Sequence, residues 1–304
     1  MANPITTTMR PLLDDTVRYK KALKAFKYYS GEDAVYNQWY ETKFDKLVTD
    51  EIKVENGDQQ EDGLQVLGVG SGSGEADYEM LKKLLPKYPK IRNTVIEPSD
   101  QMIQKYRQLV TSQQKSLSGV VFDWRQQKYA DYHQDCQQAG EVTKFHFIHA
   151  IHSLYHVPNV DETLGALYDR MEDGGVLLVI ITSEKSGINH VHERFNDLQE
   201  KEADNITKFV KTSEIRRAFD KRGIPCKVYP QPLKLDITKC FVDGDEDGDL
   251  LLDFVTHKKR FRYDAPKKLV EDYLKFLKEP KNGEVCGDQI LLNMDWDAIL
   301  VYKG

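Results

Sequence analysis

The sequence predicts an α/β fold with a doubly wound, largely parallel sheet. Between residues 64 and 182, short apolar runs typical of buried strands alternate with stretches that have helical spacing. The first apolar run, Leu64–Leu67, leads into a glycine-rich turn, and the second predicted strand ends at an acid, Glu97. Because an open sheet of this kind binds ligands at the carboxyl ends of its strands, we expect both features at the ligand-binding edge.

The chain before the sheet has helical spacing over residues 9–48, interrupted by the turn residues 30–33, which predicts two helices. A polar linker, residues 55–63, then leads into the sheet. The alternation predicts, in chain order, strand 64–70, helix 75–86, strand 94–97, helix 99–113, strand 120–124, strand 145–151, helix 161–171 and strand 175–182. Later residues favour amphipathic helices over 187–223, then helices mixed with two apolar segments, 290–292 and a closing strand at 298–302.

Composition and charge exclude several classes of protein. With 40% hydrophobic and 30% charged residues among 304, the chain has the make-up of a globular protein with a sizeable core. The net charge of −6 and the scattered basic residues do not favour a nucleic-acid partner, and the acidic balance favours cationic small molecules. No apolar run is long enough to span a membrane and no signal-peptide pattern begins the chain, so we expect a soluble, cytoplasmic protein without a membrane partner.

Three patterns resemble metal or disulfide sites without completing one. The four cysteines lie far apart, which predicts neither a zinc site nor a dense disulfide network. The acidic stretch Asp243–Asp249 matches the first positions of a calcium loop, but Phe254 stands where the bidentate glutamate belongs, which favours a solvated turn. His146 and His149 are predicted to point to opposite faces of a strand and so not to share an ion. We therefore expect no metal.

The turn GVGSGSGEAD, residues 68–77, carries the first chemical signal. Glycines at this place let a ligand approach the backbone, and the following helix offers free N–H groups. Gly70, Gly72 and Gly74 give G-x-G-x-G, and Glu75 stands where a dinucleotide fingerprint has its third glycine. Because an acid there repels a pyrophosphate, the pattern disfavours NAD.

The stretch VIEPS, residues 95–99, supplies the second chemical signal. Glu97 at the end of the second strand is placed to accept hydrogen bonds from both ribose hydroxyls of a nucleoside. A glycine turn combined with this acid suits an adenosyl ligand without phosphates. S-adenosylmethionine is the candidate, because its sulfonium and ammonium charges are compatible with nearby acids.

The segment after the fourth predicted strand is where an open sheet places its substrate crevice. His152 and His156 lie in that segment, with Tyr155 between them. We expect the two histidines to contact the substrate and Tyr155 to line the same pocket or to pack on the core.

Specific stretches from about Met9 to the C-terminus match one known family: Met9-Arg10 with Tyr19, Ser30 and Glu32; GSGSGE; EPS with Lys105-Tyr106; FIH at 147–149; Leu154-Tyr155; Ser186-Gly187; and CFVDGDEDGDLL with Asp253-Phe254. In these stretches the sequence resembles the histamine N-methyltransferase family. The resemblance implies a Rossmann-like, mostly parallel seven-stranded methyltransferase sheet with a small, mainly helical substrate-binding subdomain. It also implies a helical cap at residues 1–58 and a core at 59–304, with substrate-binding insertions around 187–215 and 236–285.

The resemblance implies a role for two sets of residues. Cofactor contacts are expected from the two motifs and the strand ends beside them, namely Gly70, Ser71, Gly72, Gly74, Glu75, Glu97, Pro98, Ser99, Met102 and Ile151. Acceptor contacts are expected from Glu32, which matches the acid that engages the amine, and from Tyr19, His152, Tyr155, His156, Ile188, His192, Phe254 and Met294. We expect His152, Tyr155 and His156 to be the catalytic group that orients the reacting nitrogen.

Departures from the family concentrate in the same pocket. His152 replaces a glutamine that faces the acceptor, Met294 replaces an asparagine, and His156 replaces a tyrosine. Smaller changes put Ile188 and His192 at two tryptophan positions, Leu13 and Leu23 at phenylalanine positions, and Met102 at a glutamine position on the cofactor side. The framework is kept while the pocket changes, which indicates the same chemistry on a different acceptor.

The sequence thus predicts a monomeric, S-adenosylmethionine-dependent N-methyltransferase for a small amine or imidazole-containing acceptor, histamine-like or related. A histidine near neutral pKa would take the released proton, or the proton would pass to solvent and the histidines would only shape the pocket. Two alternatives remain open: a catalytically silent protein that binds an adenosyl ligand, and a methyltransferase for a quite different acceptor.

Overall fold

A computed structural model describes residues 9–54, 63–141, 143–198 and 210–304. The chain divides into two compact units. The large-sheet unit comprises residues 36–181, 210–229 and 297–304, and the small-sheet unit comprises residues 1–35, 182–209 and 230–296, as far as these are described.

The described residues form ten strands and eleven α-helices. The strands are β1 Leu64–Val69, β2 Ile91–Ile96, β3 Val120–Arg125, β4 Phe145–Ile151, β5 Met171–Thr182, β6 Cys226–Gln231, β7 Lys234–Asp236, β8 Gly283–Cys286, β9 Gln289–Asn293 and β10 Trp296–Tyr302. The helices are α1 Thr16–Ser30, α2 Glu32–Trp39, α3 Glu75–Leu84, α4 Asp100–Ser112, α5 Tyr129–Ala139, α6 Val160–Asp169, α7 Gly187–Arg194, α8 Thr212–Asp220, α9 Glu246–Thr256, α10 Phe261–Asp264 and α11 Lys267–Leu277. Among these residues, none of the helices has the length and apolar character needed to cross a membrane.

The large-sheet unit is built on a seven-stranded sheet in the order β3-β2-β1-β4-β5-β10-β6. Strand β1 pairs in parallel with both β2 and β4, and the β2–β3 and β4–β5 pairs are also parallel. The strand order reverses between β1 and β4, so the carboxyl ends of these two strands border the crevice that binds ligands in open α/β sheets. The predicted Rossmann-like, doubly wound and mostly parallel fold is confirmed.

Several elements of the large-sheet unit differ from the sequence patterns. The patterns do not predict α5. Its buried residues Tyr129, Tyr132 and Cys136 have helical spacing, but the polar residues around them make the apolar periodicity weak. Strand β2 begins at Ile91, three residues before its predicted start, because the polar Asn93 is fully buried inside the strand. Strand β6 is likewise not predicted.

The small-sheet unit combines helices with a three-stranded antiparallel sheet in the order β7-β9-β8. An apolar cluster forms its core, and α1 packs along α9 with the rings of Phe26 and Phe254 stacked at 4.4 Å between centroids. The sequence patterns predict part of β9 but neither β7 nor β8, because these strands are short and carry several polar residues.

The division into units differs from the predicted one. Residues 36–54 belong to the large-sheet unit rather than to a cap of residues 1–58. The predicted boundary after residue 58 and residues 199–209 of the insertion predicted around 187–215 lie outside the described residues. Residues 210–215 belong to the large-sheet unit, whereas the insertion predicted around 236–285 falls within the small-sheet unit.

Asp253 on α9 holds three segments of the small-sheet unit together. Its buried carboxylate pairs with Nε of Arg18 on α1 at 2.5 Å. It also accepts the N–H groups of Arg260 and Phe261, at 2.8 and 2.9 Å. Because both carboxylate oxygens have partners, part of the cost of burying the charge is offset, although burial still raises the pKa of Asp253, and α1 is fixed against α9.

Replacing Asp253 by alanine should lower the free energy of unfolding by about 3–5 kcal/mol, because Arg18 and two main-chain donors lose a buried partner. Asp33→Ala is the matched control, since its side chain is 65% exposed in a surface pair with Lys27. The control should change stability by less than ~0.5 kcal/mol. Urea unfolding followed by circular dichroism measures both, and equal losses in the two variants would contradict the role of Asp253.

Candidate active site

The glycine turn after β1 adopts a backbone conformation that suits glycine. Gly70, Gly72 and Gly74 have φ angles of 67°, 56° and 86°, a region that residues with a Cβ atom rarely adopt. The N–H groups of Gly70 and Ser71 donate to the carbonyl of Ile96 at the end of β2, at 2.8 and 3.3 Å. The turn is therefore tied to the neighbouring strand before the chain enters α3.

The carboxylate of Glu97 joins this turn to the start of α4. Glu97 is buried, and its two oxygens accept the N–H groups of Gly72 and Ser99, each at 2.9 Å. Ser99 in turn caps α4 by accepting the N–H of Met102 at 3.4 Å. Since each carboxylate oxygen has a second acceptor position, Glu97 retains the capacity to accept hydrogen bonds from a ligand.

A buried polar network supports the underside of the turn. The hydroxyl of Tyr106 on α4 donates to Asp77 at 3.1 Å and accepts from Asn93 at 3.3 Å. His149 Nε2 lies 3.7 Å from Asp77, and burial lowers the pKa of His149 while Asp77 opposes that shift. A Cβ atom at Gly74 would stand 2.1 Å from the Tyr106 ring. Sequence patterns do not reveal this network, although Asp77 stands on the apolar face of α3, which signals a buried acid.

Other features of this edge provide room and polar groups for a ligand. A Cβ atom at Gly72 would have no heavy atom within 4 Å. The hydroxyl oxygens of Ser71 and Ser153 are buried and have no hydrogen-bond partner among the described residues. The remaining predicted cofactor residues lie where the strands end: Ile151 closes β4 and is half-buried with Met102, while Pro98 and Glu75 are exposed.

His152 follows β4 with both ring nitrogens engaged. Its Nε2 lies 2.5 Å from the hydroxyl oxygen of Tyr36, and its Nδ1 lies 3.2 Å from that of Tyr155. Its φ of 49° and the bond from its N–H to the Ile180 carbonyl, at 2.9 Å, fix where the ring leaves the backbone. Burial lowers the pKa of His152 to about 4, so the ring is neutral at pH 7 and is a weak base.

The other two residues predicted beside His152 belong to the same short segment. Tyr155 and His156 lie in a 3-10 turn, Leu154–His156. His156 is exposed to solvent. The part of its ring environment that is buried lowers its pKa, while the charge of Glu97 opposes that shift. The structure thus brings His152 and Tyr155 into direct contact, and it adds Tyr36, which sequence reasoning missed because 116 positions separate it from His152.

The remaining predicted acceptor residues belong to the small-sheet unit. Glu32 begins α2, is half-buried, and has a raised pKa because burial disfavours its charge. Four of the residues contribute to one apolar cluster, in which Ile188 is buried and the others are partly buried: Tyr19, Ile188, Phe254 and Met294. His192 donates from Nε2 to the carbonyl of Val255 at 3.2 Å, and burial lowers its pKa to about 3.

The acidic stretch 243–249 serves as a helix start in the small-sheet unit. Asp245 caps α9 by accepting the N–H of Gly248 at 2.9 Å and pairs with Lys239 at 3.3 Å. Asp249 pairs with Arg262 at 2.5 Å. Within the described parts of the chain, no group of three or more His, Cys, Asp or Glu side chains is arranged to hold a metal ion.

Comparison with known proteins decides the family. The model of a methyltransferase-domain family matches residues 39–225. The chain is 31% identical to histamine N-methyltransferase of Danio rerio, over 99% of each chain. It belongs to the histamine N-methyltransferase family. Histamine N-methyltransferase of Bos taurus is 28% identical over 98% of this chain and 99% of its own.

The enzyme is therefore an S-adenosylmethionine-dependent N-methyltransferase. Among solved structures, it is similar to the YcgJ protein of Bacillus subtilis, with a TM-score of 0.48 and 13% identity over 80% of this chain and 92% of that one. The donor supplies an electrophilic methyl group on a sulfonium. The residues at the edge of the sheet fit this donor, because the buried carboxylate of Glu97 lies beside the open space at Gly72 and near two hydroxyls that have no hydrogen-bond partner among the described residues.

Gly74→Ala should destabilise the enzyme by at least ~2 kcal/mol more than Gly72→Ala. Both changes force a side chain into a positive φ region at a similar cost, but only the Gly74 Cβ meets the buried Tyr106 ring, at 2.1 Å. Gly72→Ala should instead weaken binding of S-adenosylhomocysteine, since its Cβ enters the open space. Urea unfolding and titration calorimetry measure the two effects, and the opposite ranking in stability would contradict this geometry.

Proposed function

We propose that the enzyme transfers a methyl group to a nitrogen of a small amine or imidazole-containing acceptor that is related to histamine. The observation that carries this proposal is the pair of phenols around His152, at 2.5 and 3.2 Å. This arrangement puts a rigid, neutral imidazole where the family resemblance places a glutamine that faces the acceptor. The acceptor site is therefore polar and ordered, but its hydrogen-bonding groups differ from those of the family.

We assign the donor to the edge formed by the glycine turn and Glu97. Glu97 would accept the ribose hydroxyls with the acceptor positions that its two main-chain partners leave. The open space at Gly72 would admit the ligand close to the backbone. These residues would bind and orient the donor at the crevice that the ends of β1 and β4 border, and the donor would supply the methyl group there.

We carry the acceptor residues over from the family resemblance. Glu32 would hold a cationic ammonium. Because burial raises its pKa, the Glu32 carboxylate is protonated more readily than that of an exposed glutamate until a cation is bound. His152, Tyr155 and His156 would orient the reacting nitrogen. Methyl transfer needs a neutral nitrogen lone pair in line with the methyl carbon, so this positioning is the main contribution of the chain's own residues.

The released proton would not pass to His152 in this proposal. Its ring nitrogens both have phenol partners, and its pKa of about 4 makes it a weak base. His156 is more exposed, and the charge of Glu97 opposes the lowering of its pKa by partial burial, so it would relay the proton to solvent. An imidazole acceptor would also lose its proton to solvent directly after transfer.

The changed pocket should disfavour histamine itself. Met294 offers no amide where the resemblance places an asparagine, and the two ring nitrogens of His152, which replaces a glutamine, are already engaged by phenols. Each polar group of histamine left without a partner costs roughly 1–3 kcal/mol, which corresponds to a loss of about 5- to 150-fold in kcat/KM.

Production of S-adenosylhomocysteine over a panel of histamine, other biogenic amines, imidazole amino acids and imidazole dipeptides tests the proposal. We expect turnover of at least one amine or imidazole other than histamine, with a kcat/KM at least tenfold above that of histamine. The double change His152→Gln with Met294→Asn should raise relative activity on histamine. Tyr28→Phe, on a side chain that is 79% exposed, is the control and should leave the ranking unchanged.

Two results would contradict the proposed acceptor class. Silence over the whole panel, with S-adenosylhomocysteine still bound, would favour a silent binder or a quite different acceptor. Turnover of histamine above all other compounds would show that the pocket changes compensate one another and keep the family's specificity.

A further inference from the structure

Tyr36 lies on α2 one helical turn after Glu32, so the two side chains project from the same face of the helix. Its half-buried phenol reaches the loop after β4, where its hydroxyl oxygen stands 2.5 Å from His152 Nε2. The two rings meet edge to face, with centroids 6.0 Å apart. This contact lies within the large-sheet unit and links the first helix of that unit to the end of β4.

Proton counting limits how His152 can bind two phenols. A neutral imidazole carries a single N–H, so one ring nitrogen must donate and the other must accept. A phenol hydroxyl can do either. Two arrangements are therefore possible, and they differ in which phenol gives its hydrogen to the ring.

The two distances choose between these arrangements. A phenol is a better donor than acceptor and an imidazole nitrogen is a good acceptor, so the O–H to N bond is the shorter of the two. The Tyr36 contact at Nε2 is 2.5 Å and the Tyr155 contact at Nδ1 is 3.2 Å. Tyr36 therefore donates to Nε2, and Nδ1–H donates to the hydroxyl oxygen of Tyr155.

We propose that Tyr36 is a positioning residue for the acceptor site, because its hydroxyl holds His152 in the Nδ1–H tautomer and so aims that N–H at Tyr155. Rotation of the Tyr155 hydroxyl is restricted in consequence, since its oxygen receives a fixed hydrogen bond. The stacking of the His152 and Tyr155 rings, with centroids 6.1 Å apart at 25°, supports the same orientation. The role in acceptor binding rests on the function proposed above, whereas the tautomer does not.

The tautomer can be measured without any acceptor, by nitrogen NMR of the full chain labelled with 15N-histidine and saturated with S-adenosylhomocysteine at pH 7. His152→Gln identifies the His152 signals by their loss. We expect a protonated Nδ1 and an unprotonated Nε2, and Tyr36→Phe should shift the Nε2 signal and mix the two tautomers. The Nε2–H tautomer in the parent enzyme, or an unchanged signal in Tyr36→Phe, would overturn the proposal.

Tyr40→Phe is the matched control, because Tyr40 lies one helical turn further along, is 3% exposed and stands next to Tyr36 with ring centroids 6.5 Å apart. Removing its hydroxyl should leave the His152 signals unchanged. If both variants move these signals equally, the effect is a general loss of packing and the specific role of Tyr36 is overturned.

Kinetics with the best acceptor of the panel test the positioning role. Tyr36→Phe should lower kcat/KM for the acceptor roughly tenfold and leave the KM for S-adenosylmethionine within about twofold. Equal effects on both substrates, or none on the acceptor while the tautomer shifts, would overturn the positioning role. If the panel yields no acceptor, the proposed function has failed, while the NMR result still decides the tautomer.

Discussion

The proposed donor site depends on one buried carboxylate. Glu97 accepts a main-chain N–H from the glycine turn and another from the start of α4, each at 2.9 Å. These two bonds fix the ends of β1 and β2 against each other, where the parallel register of the strands already brings them together. A carboxylate held in this way is oriented before a ligand arrives, which reduces the entropy that binding has to overcome. The glycines of the turn, the helix cap at Ser99 and the hydrogen bonds among Asp77, Asn93 and Tyr106 hold the segments that Glu97 joins.

The proposed acceptor region around His152 follows a different physical rule. His152 is not placed to exchange protons, since burial and two phenols keep it neutral and occupied. A neutral ring with both nitrogens engaged is held in one orientation, which suits a pocket that positions a small polar molecule for transfer. In the proposal, the reaction therefore depends on the reactivity of the donor and on the alignment of the acceptor nitrogen with the methyl group. The side chains determine which nitrogen is aligned.

Much of the fold could be predicted from the sequence because its signals are local. Apolar runs such as Leu64–Leu67 and the glycines that follow are determined by neighbouring residues, and the predicted strand and turn are confirmed there. Strand β2 shows the limit, since the buried Asn93 interrupts the apolar pattern and donates a hydrogen bond to Tyr106 on α4. Short strands such as β7 form only through pairing with distant residues, so no local pattern reveals them.

The candidate site divides in the same way. The glycine turn and Glu97 could be found because a motif and a strand end mark them, and the structure brings them into contact. Tyr36 could not be found, since its partner His152 is 116 positions away and the residue type alone indicates nothing. The pKa of His152 also depends on tertiary burial, which the sequence does not show. The sequence therefore predicts a histidine with a pKa near neutral, whereas burial lowers the pKa to about 4.

Calorimetric titration of S-adenosylhomocysteine into the parent enzyme and Glu97→Gln tests the central claim most directly. The amide keeps one acceptor oxygen but removes the charge and one of the two main-chain partners, so the Kd should rise at least ~10-fold. Glu79→Gln on α3 is the control, because the ion pair with Lys82, at 2.7 Å, is the only hydrogen bond or ion pair of the Glu79 carboxylate among the described residues. The Kd of this variant for S-adenosylhomocysteine should stay within about twofold of the parent value. Equal affinity of the parent enzyme and Glu97→Gln would contradict the account, since the donor would then bind without the carboxylate on which the site is built.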